Sequence, residues 1–274
     1  MAKKKIDIPL PVLATGVSLT DTHCHLDMYA PDAAPTEIVA AARRVGVSTI
    51  VSVGIDLASS RAAIRLASDH PGVYATVGVH PHHVAELTDQ VYAELAGLAA
   101  HPKVVAYGEI GLDYAKQYAA IPMQLDHCRG QVRLARQLGL PVVIHDRDAH
   151  ADILALLTEE GSFPAGGVMH CFSGDRRFAD QVLGLGFFIS ISGVVTFANA
   201  MALQEAVRHI PLDRLLLETD GPFLAPVPHR GRTNFPQLLP YTAQKVAELK
   251  GLALEEVATA TTRNASRLFR IEAD

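Results

Sequence analysis

Two histidines stand one residue apart in the run Thr20-Asp21-Thr22-His23-Cys24-His25-Leu26-Asp27, just after the apolar Val17 and Leu19. Side chains alternate across a strand, so His23 and His25 are expected to face one way and Cys24 the other. Two imidazoles aimed into one space suit a divalent metal, for which imidazole nitrogen is a common ligand. A His-x-His pair also serves simply as two hydrogen-bonded residues at a strand end, so its meaning depends on what the later segments bring. They bring His80, Glu109, His145, His170 and Asp220, each after an apolar run.

With His80 set aside, four imidazoles and two carboxylates remain. That is too many for one four-coordinate ion with an open position, and it suits two neighbouring ions sharing a bridge. Glu109 is the natural bridge, because a carboxylate has two oxygens. The expected division gives His23, His25 and Asp220 to one ion, His145 and His170 to the other, and Glu109 to both. A pair of cations about 3.5–4 Å apart activates water and clamps the attacking and leaving oxygens of a displacement. Glu109 and Asp220 are then the catalytic carboxylates, Asp220 orienting or deprotonating the water. The donor set admits Zn²⁺, Mn²⁺, Co²⁺ or Mg²⁺, with Mg²⁺ least favoured by ligand softness.

Other polar residues read as substrate contacts, as support for the ligands or as packing. His80, in Gly78-Val-His-Pro81, reaches a substrate phosphate or leaving group, or shapes the turn with Pro81. Arg147 follows His145 by two, shares its face, and offers phosphate a forked donor. Asp113, Ser173 and Arg230 read as substrate contacts at the rim, with Tyr114, His229 and Asn234 nearby. Tyr114, Phe172 and Phe223 are rings on which a base can stack, although packing is the ordinary use of a phenylalanine. Glu218 reads either as support behind the ligands or as a buried ion-pair partner. His82, His83, His101, His127, His150 and His209 read as surface or packing residues.

The elements that must position these groups alternate along the chain. After the opening strand, short β-branched runs at 47–53, 73–79, 104–109, 141–145, 167–170, 187–192 and 214–220 read as strands. Helical stretches are expected at 35–45, 56–70, 89–100, 122–138, 149–160, 177–185 and 198–209, and at 236–250, 255–260 and 262–269 after the last strand. Gly46, Pro71-Gly72 and Gly139 supply helix stops. Eight strand–helix units predict a closed (β/α)₈ barrel of parallel strands. The alternative, an open doubly wound sheet, would carry a glycine-rich turn after its first strand, where His-x-His stands instead. Barrel enzymes build their sites at the carboxyl ends of the strands, and ligand-type residues fall at six of the eight expected ends.

The chain has 274 residues, 49% of them hydrophobic, enough for one barrel domain over 17–274 behind a flexible leader at 1–16. A net charge of −5 argues against a broad duplex-binding face and leaves room for a local phosphodiester pocket. Cys24, Cys128 and Cys171 are expected to be reduced thiols of a cytoplasmic protein. No apolar run approaches the roughly 18 residues of a membrane helix, and no obligate protein partner is indicated.

Seven motifs carry a family resemblance: Asp21-Thr-His-Cys-His-Leu-Asp27, Gly78-Val-His-Pro81, Gly108-Glu-Ile-Gly-Leu-Asp-Tyr114, Pro141-Val-Val-Ile-His-Asp-Arg-Asp-Ala149, His170-Cys-Phe-Ser-Gly174, Glu218-Thr-Asp-Gly-Pro222 and Pro226-Val-Pro-His-Arg-Gly231. Through them the chain resembles the TatD-type metal-dependent hydrolases, the TatD deoxyribonuclease family of the amidohydrolase-like barrels, and is most similar to its YcfH-like branch. The resemblance spans about residues 19–270. It implies a TIM barrel, two divalent metal ions held at the matching His, Glu and Asp positions, and phosphodiester hydrolysis. For the better-studied relatives it implies 3′-to-5′ exonuclease action on single-stranded DNA, with Mg²⁺ a common activator. Gly221 stands where Ser is usual after the Asp, and Asp146 where Thr is common before the Arg; neither change removes a ligand. One alternative is an amide or ester hydrolase of the wider superfamily, many of which bridge their metals with a carboxylated lysine on strand four. Glu109 holds that place here, and Lys103 lies at the opposite end of the strand. The other alternative is a metal-binding barrel without catalysis, whose mark would be lost ligands.

Overall fold

The structure, a computed structural model, describes residues 8–272. Its strands are β1 Leu19–Cys24, β2 Val47–Ser52, β3 Val73–Val77, β4 Val104–Asp113, β5 Val142–Arg147, β6 Gly167–Met169, β7 Phe188–Ile191 and β8 Leu215–Leu217. Between and after them run α1 Pro35–Arg44, α2 Leu57–Asp69, α3 Asp89–Leu98, α4 Ile121–Leu138, α5 His150–Glu160, α6 Arg176–Gly184, α7 Met201–His209, α8 Leu239–Lys250 and α9 Leu254–Phe269. The strands neighbour one another in chain order from β1 to β8, every pair parallel. This is the expected (β/α)₈ TIM barrel.

The seam between β8 and β1 is stitched mainly at its carboxyl end. Cys24 and Gly221 form a parallel bridge, Asp220 N–H donates to His23 O at 2.9 Å, and His25 N–H donates to Gly221 O at 2.7 Å. Thr22 Oγ1 adds a bond to Leu217 O at 2.9 Å. The segments that bear His23, His25 and Asp220 are therefore tied together by backbone before any ligand binds.

Below that end the barrel is filled with apolar side chains. Val51, Val105, Val143, Val168, Phe188 and Leu216 cluster with Ala265, Leu268, Phe269 and Ile271. Val143 shares the His145 face of β5, so the cluster lies inside the barrel beneath the histidines, and α9 with Ile271 closes its base. The larger core lies between the strands and the helices, with Leu19, Ile50, Val77, Ile110 and Ile144 meeting Val39, Ala63, Val132, Ile153 and Val246. Helix ends carry local reasons. Asp56 caps α2 by accepting from Ser59 N–H at 2.7 Å, and Ser59 Oγ accepts from Asp56 N–H at 2.9 Å. Gly139 ends α4 with φ 67 in the left-handed region.

Several boundaries differ from expectation, two of them for local reasons that the structure displays. β4 runs four residues past Glu109, to Asp113, which pairs with Arg147. Its register shifts between Tyr107 and Ile110, so Glu109 sits on an irregularity within the strand rather than at its tip. Gly111 makes the extension possible: a Cβ there would lie 1.9 Å from His145 O. The two helices expected at 255–260 and 262–269 are one, α9. Thr261 stays helical by turning its hydroxyl back to Val257 O at 2.8 Å, while Thr262 Oγ1 reaches Ser18 O at 3.0 Å. Of the leader expected at 1–16, residues 1–7 lie outside the described residues. Residues 8–16 carry no helix or strand; Ile8 O accepts from Tyr241 Oη at 2.9 Å, and Leu13 packs on the core. Among the described residues no helix is long and apolar enough to cross a membrane.

Candidate metal centre

The Glu109 carboxylate lies at the middle of the histidines. Its backbone N–H is held by Gly54 O at 2.9 Å, and its side chain is buried. Oε1 meets His145 Nδ1 at 2.7 Å and His170 Nε2 at 2.8 Å. Oε2 faces His23 Nε2 at 3.4 Å and His25 Nε2 at 3.8 Å. Asp220 Oδ1 completes the second side, 3.3 Å from His25 Nε2 and 3.8 Å from His23 Nε2. The six residues singled out as ligands thus converge, with one Glu109 oxygen turned to each expected set.

Three overlapping groups of ligand-type atoms can hold a cation: His23, His25 and Asp220; His23, Glu109 and His170; and His80, Glu109 and His145. Protein atoms leave much of this capacity unused. Both His23 ring nitrogens, His25 Nδ1, His145 Nε2 and His170 Nδ1 are buried without a well-formed hydrogen bond. Buried polar atoms are normally bonded; of these, His23 Nε2 faces Glu109 and Asp220 at the centre, and an unbonded imidazole nitrogen between carboxylates suits a divalent cation. Electrostatics agree. Burial works against charge on Glu109, but His170, His80 and His23 outweigh it and hold the carboxyl well below its ordinary range. Burial, opposed by His25 and His23, likewise leaves Asp220 lowered. Burial and the neighbouring His170 keep His23 below its ordinary value, whereas at His25, His145 and His170 burial is outweighed by the carboxylate neighbours, which raise the rings above theirs.

Carboxylates stand behind two of the rings. His145 Nε2 is 3.4 Å from Asp113 Oδ2, and His170 Nδ1 is 3.4 Å from Glu218 Oε1. Both contacts have ion-pair distance without good hydrogen-bond angles. Glu218 also accepts from Cys171 N–H at 2.7 Å and is fully buried, so it supports the site from beneath. Asp21 holds the neighbouring strand, accepting from Thr219 N–H at 2.9 Å and Thr219 Oγ1 at 2.5 Å; burial raises its carboxyl to about 7. Cys171 and Asp220 have left-handed backbones, φ 44 and 54, a strain of about 1–3 kcal/mol each that sites characteristically store.

The residues read as substrate contacts divide. His80 is buried in the centre, its Nε2 3.5 Å from Glu109 Oε1. Arg147 and Ser173 are exposed, on β5 and after β6. Arg230 is exposed, with its guanidinium 4.1 Å over the Phe197 ring. Asp113 departs from the rim reading: it is buried, Oδ1 accepts from Lys116 N–H at 2.8 Å, and Oδ2 meets His82 Nε2 at 2.8 Å as well as His145. Asn234 is also internal, donating to Thr219 O at 2.8 Å. Among the rings, Phe172 is buried against Phe178, Tyr114 is tied to Asp152 Oδ2 at 2.7 Å, and Phe223 is half exposed 5.9 Å from His25. His82, read as surface or packing, reaches Asp113; its spacing of two from His80 was the available signal.

The family model described as TatD related DNase matches residues 20–270. An uncharacterized metal-dependent hydrolase of Bacillus subtilis (strain 168), YabD, is 42% identical over 253 residues, covering 92% of this chain and 99% of that protein. The Pantoea vagans (strain C9-1) protein named 3′-5′ ssDNA/RNA exonuclease TatD is 38% identical over 262 residues, covering 93% and 98%. The crystal structure of YJJV, a TatD homolog from Escherichia coli K12, superposes with a TM-score of 0.87 at 30% identity, covering 93% of this chain and 98% of its own.

Proposed function

This chain belongs to the TatD-related family of metal-dependent hydrolases, and from that premise we propose that it hydrolyses phosphodiester bonds of single-stranded nucleic acid from the 3′ end with two divalent cations. The observation that carries the proposal is the Glu109 carboxylate, whose oxygens face separate histidine pairs. In this reading His23, His25 and Asp220 would hold one cation, His145 and His170 the other, and Glu109 would serve both. Mg²⁺, Zn²⁺ and Mn²⁺ are the candidates. Divalent cations bound there supply Lewis acidity, acidifying water and drawing charge from phosphoryl oxygens.

The chain's own groups do the rest. Asp220 is the most accessible carboxylate of the set, with its side chain 13% exposed, and takes up the proton of the attacking water. Arg147, exposed at the end of β5, forks onto a phosphate oxygen. Ser173 and Arg230, both exposed, are the further contacts offered to the strand. Glu109 itself favours this chemistry over the amide-hydrolase alternative. Lys103, the nearest lysine on that strand's path, sits at its other end with Nζ 4.8 Å over the Tyr74 ring. The 3′-to-5′ direction is taken from the Pantoea vagans relative. Cys24, Cys128 and Cys171 are free thiols, which supports a reducing, cytoplasmic setting.

The test is a single strand labelled at its 5′ end, incubated with each metal and with chelator. Stepwise shortening with metal and none with chelator is expected. Glu109→Ala and Asp220→Asn should each reduce the rate by on the order of 10³-fold with unchanged circular dichroism. Full activity in either variant would remove the two-cation mechanism.

A further inference from the structure

His80 is grouped by distance with Glu109 and His145 as a third potential cation site. Its other ring nitrogen argues against a ligand role. The backbone N–H of His82 donates to His80 Nδ1 at 3.1 Å. A ring nitrogen that accepts a hydrogen bond carries no proton, so the His80 ring proton belongs on Nε2. Nε2 is the atom turned to the centre, 3.5 Å from Glu109 Oε1. With a proton there, Nε2 has no lone pair for a cation.

The contrast with the neighbouring rings is one of partner type. Behind His145 and His170 stand carboxylates, Asp113 and Glu218, each 3.4 Å from the far nitrogen, where their charge favours the ring proton and leaves the near nitrogen for a ligand role. Behind His80 stands an N–H, which does the reverse. The arrangement is built into the backbone. His80 N–H donates to Ile55 O at 2.8 Å, and His80 O accepts from His83 N–H at 2.8 Å across Pro81. The ring is further held edge-on by His82 and His145, each 4.3 Å away.

We propose that His80 is a catalytic hydrogen-bond donor rather than a metal ligand, its Nε2–H binding a phosphoryl oxygen of the substrate beside Glu109 as charge develops there. The ring-proton half of this stands on geometry alone; the catalytic half rests on the phosphodiesterase reading above. No proton is transferred: the donor stays on the ring and stabilises the oxygen it meets.

Long-range ¹⁵N–¹H correlation on histidine-labelled protein reads the ring directly, with His80→Gln assigning the signal. The expected spectrum has a protonated Nε2 and an unprotonated Nδ1 both before and after Zn²⁺ is added. A proton on Nδ1, or loss of the Nε2 proton when Zn²⁺ binds, would overturn the assignment. In parallel, His80→Ala should keep the wild-type metal content by elemental analysis. Its kcat on a single-stranded oligonucleotide should fall about 10²–10³-fold, as when one oxyanion donor is removed. His80→Gln, which retains an N–H donor, should recover part of the loss. A lost cation, or an unchanged kcat in His80→Ala, contradicts the proposal. If the wild-type protein cleaves no phosphodiester, the functional reading and the catalytic half fall together, and the spectrum still decides the ring proton.

Discussion

Asp113 shows how a single side chain can be misjudged from sequence. Lying beyond Glu109 on an expected loop, it reads as a rim contact, yet β4 continues through it and turns it inward to His145 and His82. Asp113→Asn is expected to weaken cation affinity about 10–100-fold, measured by competition against a chelator, without lowering the melting temperature appreciably. Unchanged affinity would leave Asp113 with a packing role only. Arg147, expected to share the face of His145, is exposed at the end of β5. A hydrogen bond to a charged group contributes about 1.5–3 kcal/mol, so Arg147→Ala should raise KM for the single strand about tenfold or more with a smaller effect on kcat. An unchanged KM would mean that Arg147 does not touch substrate. The six ligand candidates were legible because each follows a buried apolar run. The roles of Asp113 and His82 were not, because they depend on the β3 loop meeting the end of β4, a contact between segments about thirty residues apart in sequence.

At the level of strands and helices, alternation of period was enough to find all eight units, and the errors fell at their ends. The β4 extension escaped notice because Gly111 weakens a strand pattern unless a neighbouring backbone needs the space, as His145 O does here. The break expected between 260 and 262 does not occur, the Thr261 hydroxyl bonding within the helix and that of Thr262 to Ser18 O. Helix contacts also hold a stability device. Glu160, at the end of α5, accepts from Arg129 at 3.0 Å and from Arg133 Nε at 3.0 Å, and is paired with Arg136 of the same helix α4 at 3.6 Å. The Arg133 bond leads the causes that hold its carboxyl below the ordinary 4.5, burial opposing. A carboxyl lowered on folding contributes stability that is whole above its ordinary range and is lost as pH falls through the folded value. Glu160→Gln should therefore cost about 1–2 kcal/mol at neutral pH, the arginines being partly exposed, and nothing once pH is below that value. Equal losses at neutral and acidic pH, followed by denaturant melts, would show that the charge is not what binds α5 to α4.

Over the whole molecule, one design brings the parts together: α9 and the apolar filling close the base, and the β1–β8 seam is bonded where His23, His25 and Asp220 emerge. The acidic net charge of −5 is consistent with a partner recognised at a local mouth rather than along a basic face. The proposed chemistry rests on two cations sharing Glu109. Crystals of the protein grown with Mn²⁺ or Zn²⁺ and measured at the metal's absorption edge test this most directly. The account predicts two anomalous peaks about 3.5–4 Å apart, one beside His23, His25 and Asp220 and one beside His145 and His170, with a Glu109 oxygen on each and neither peak bonded to His80. A single peak, or two peaks with Glu109 bound to only one, would contradict it.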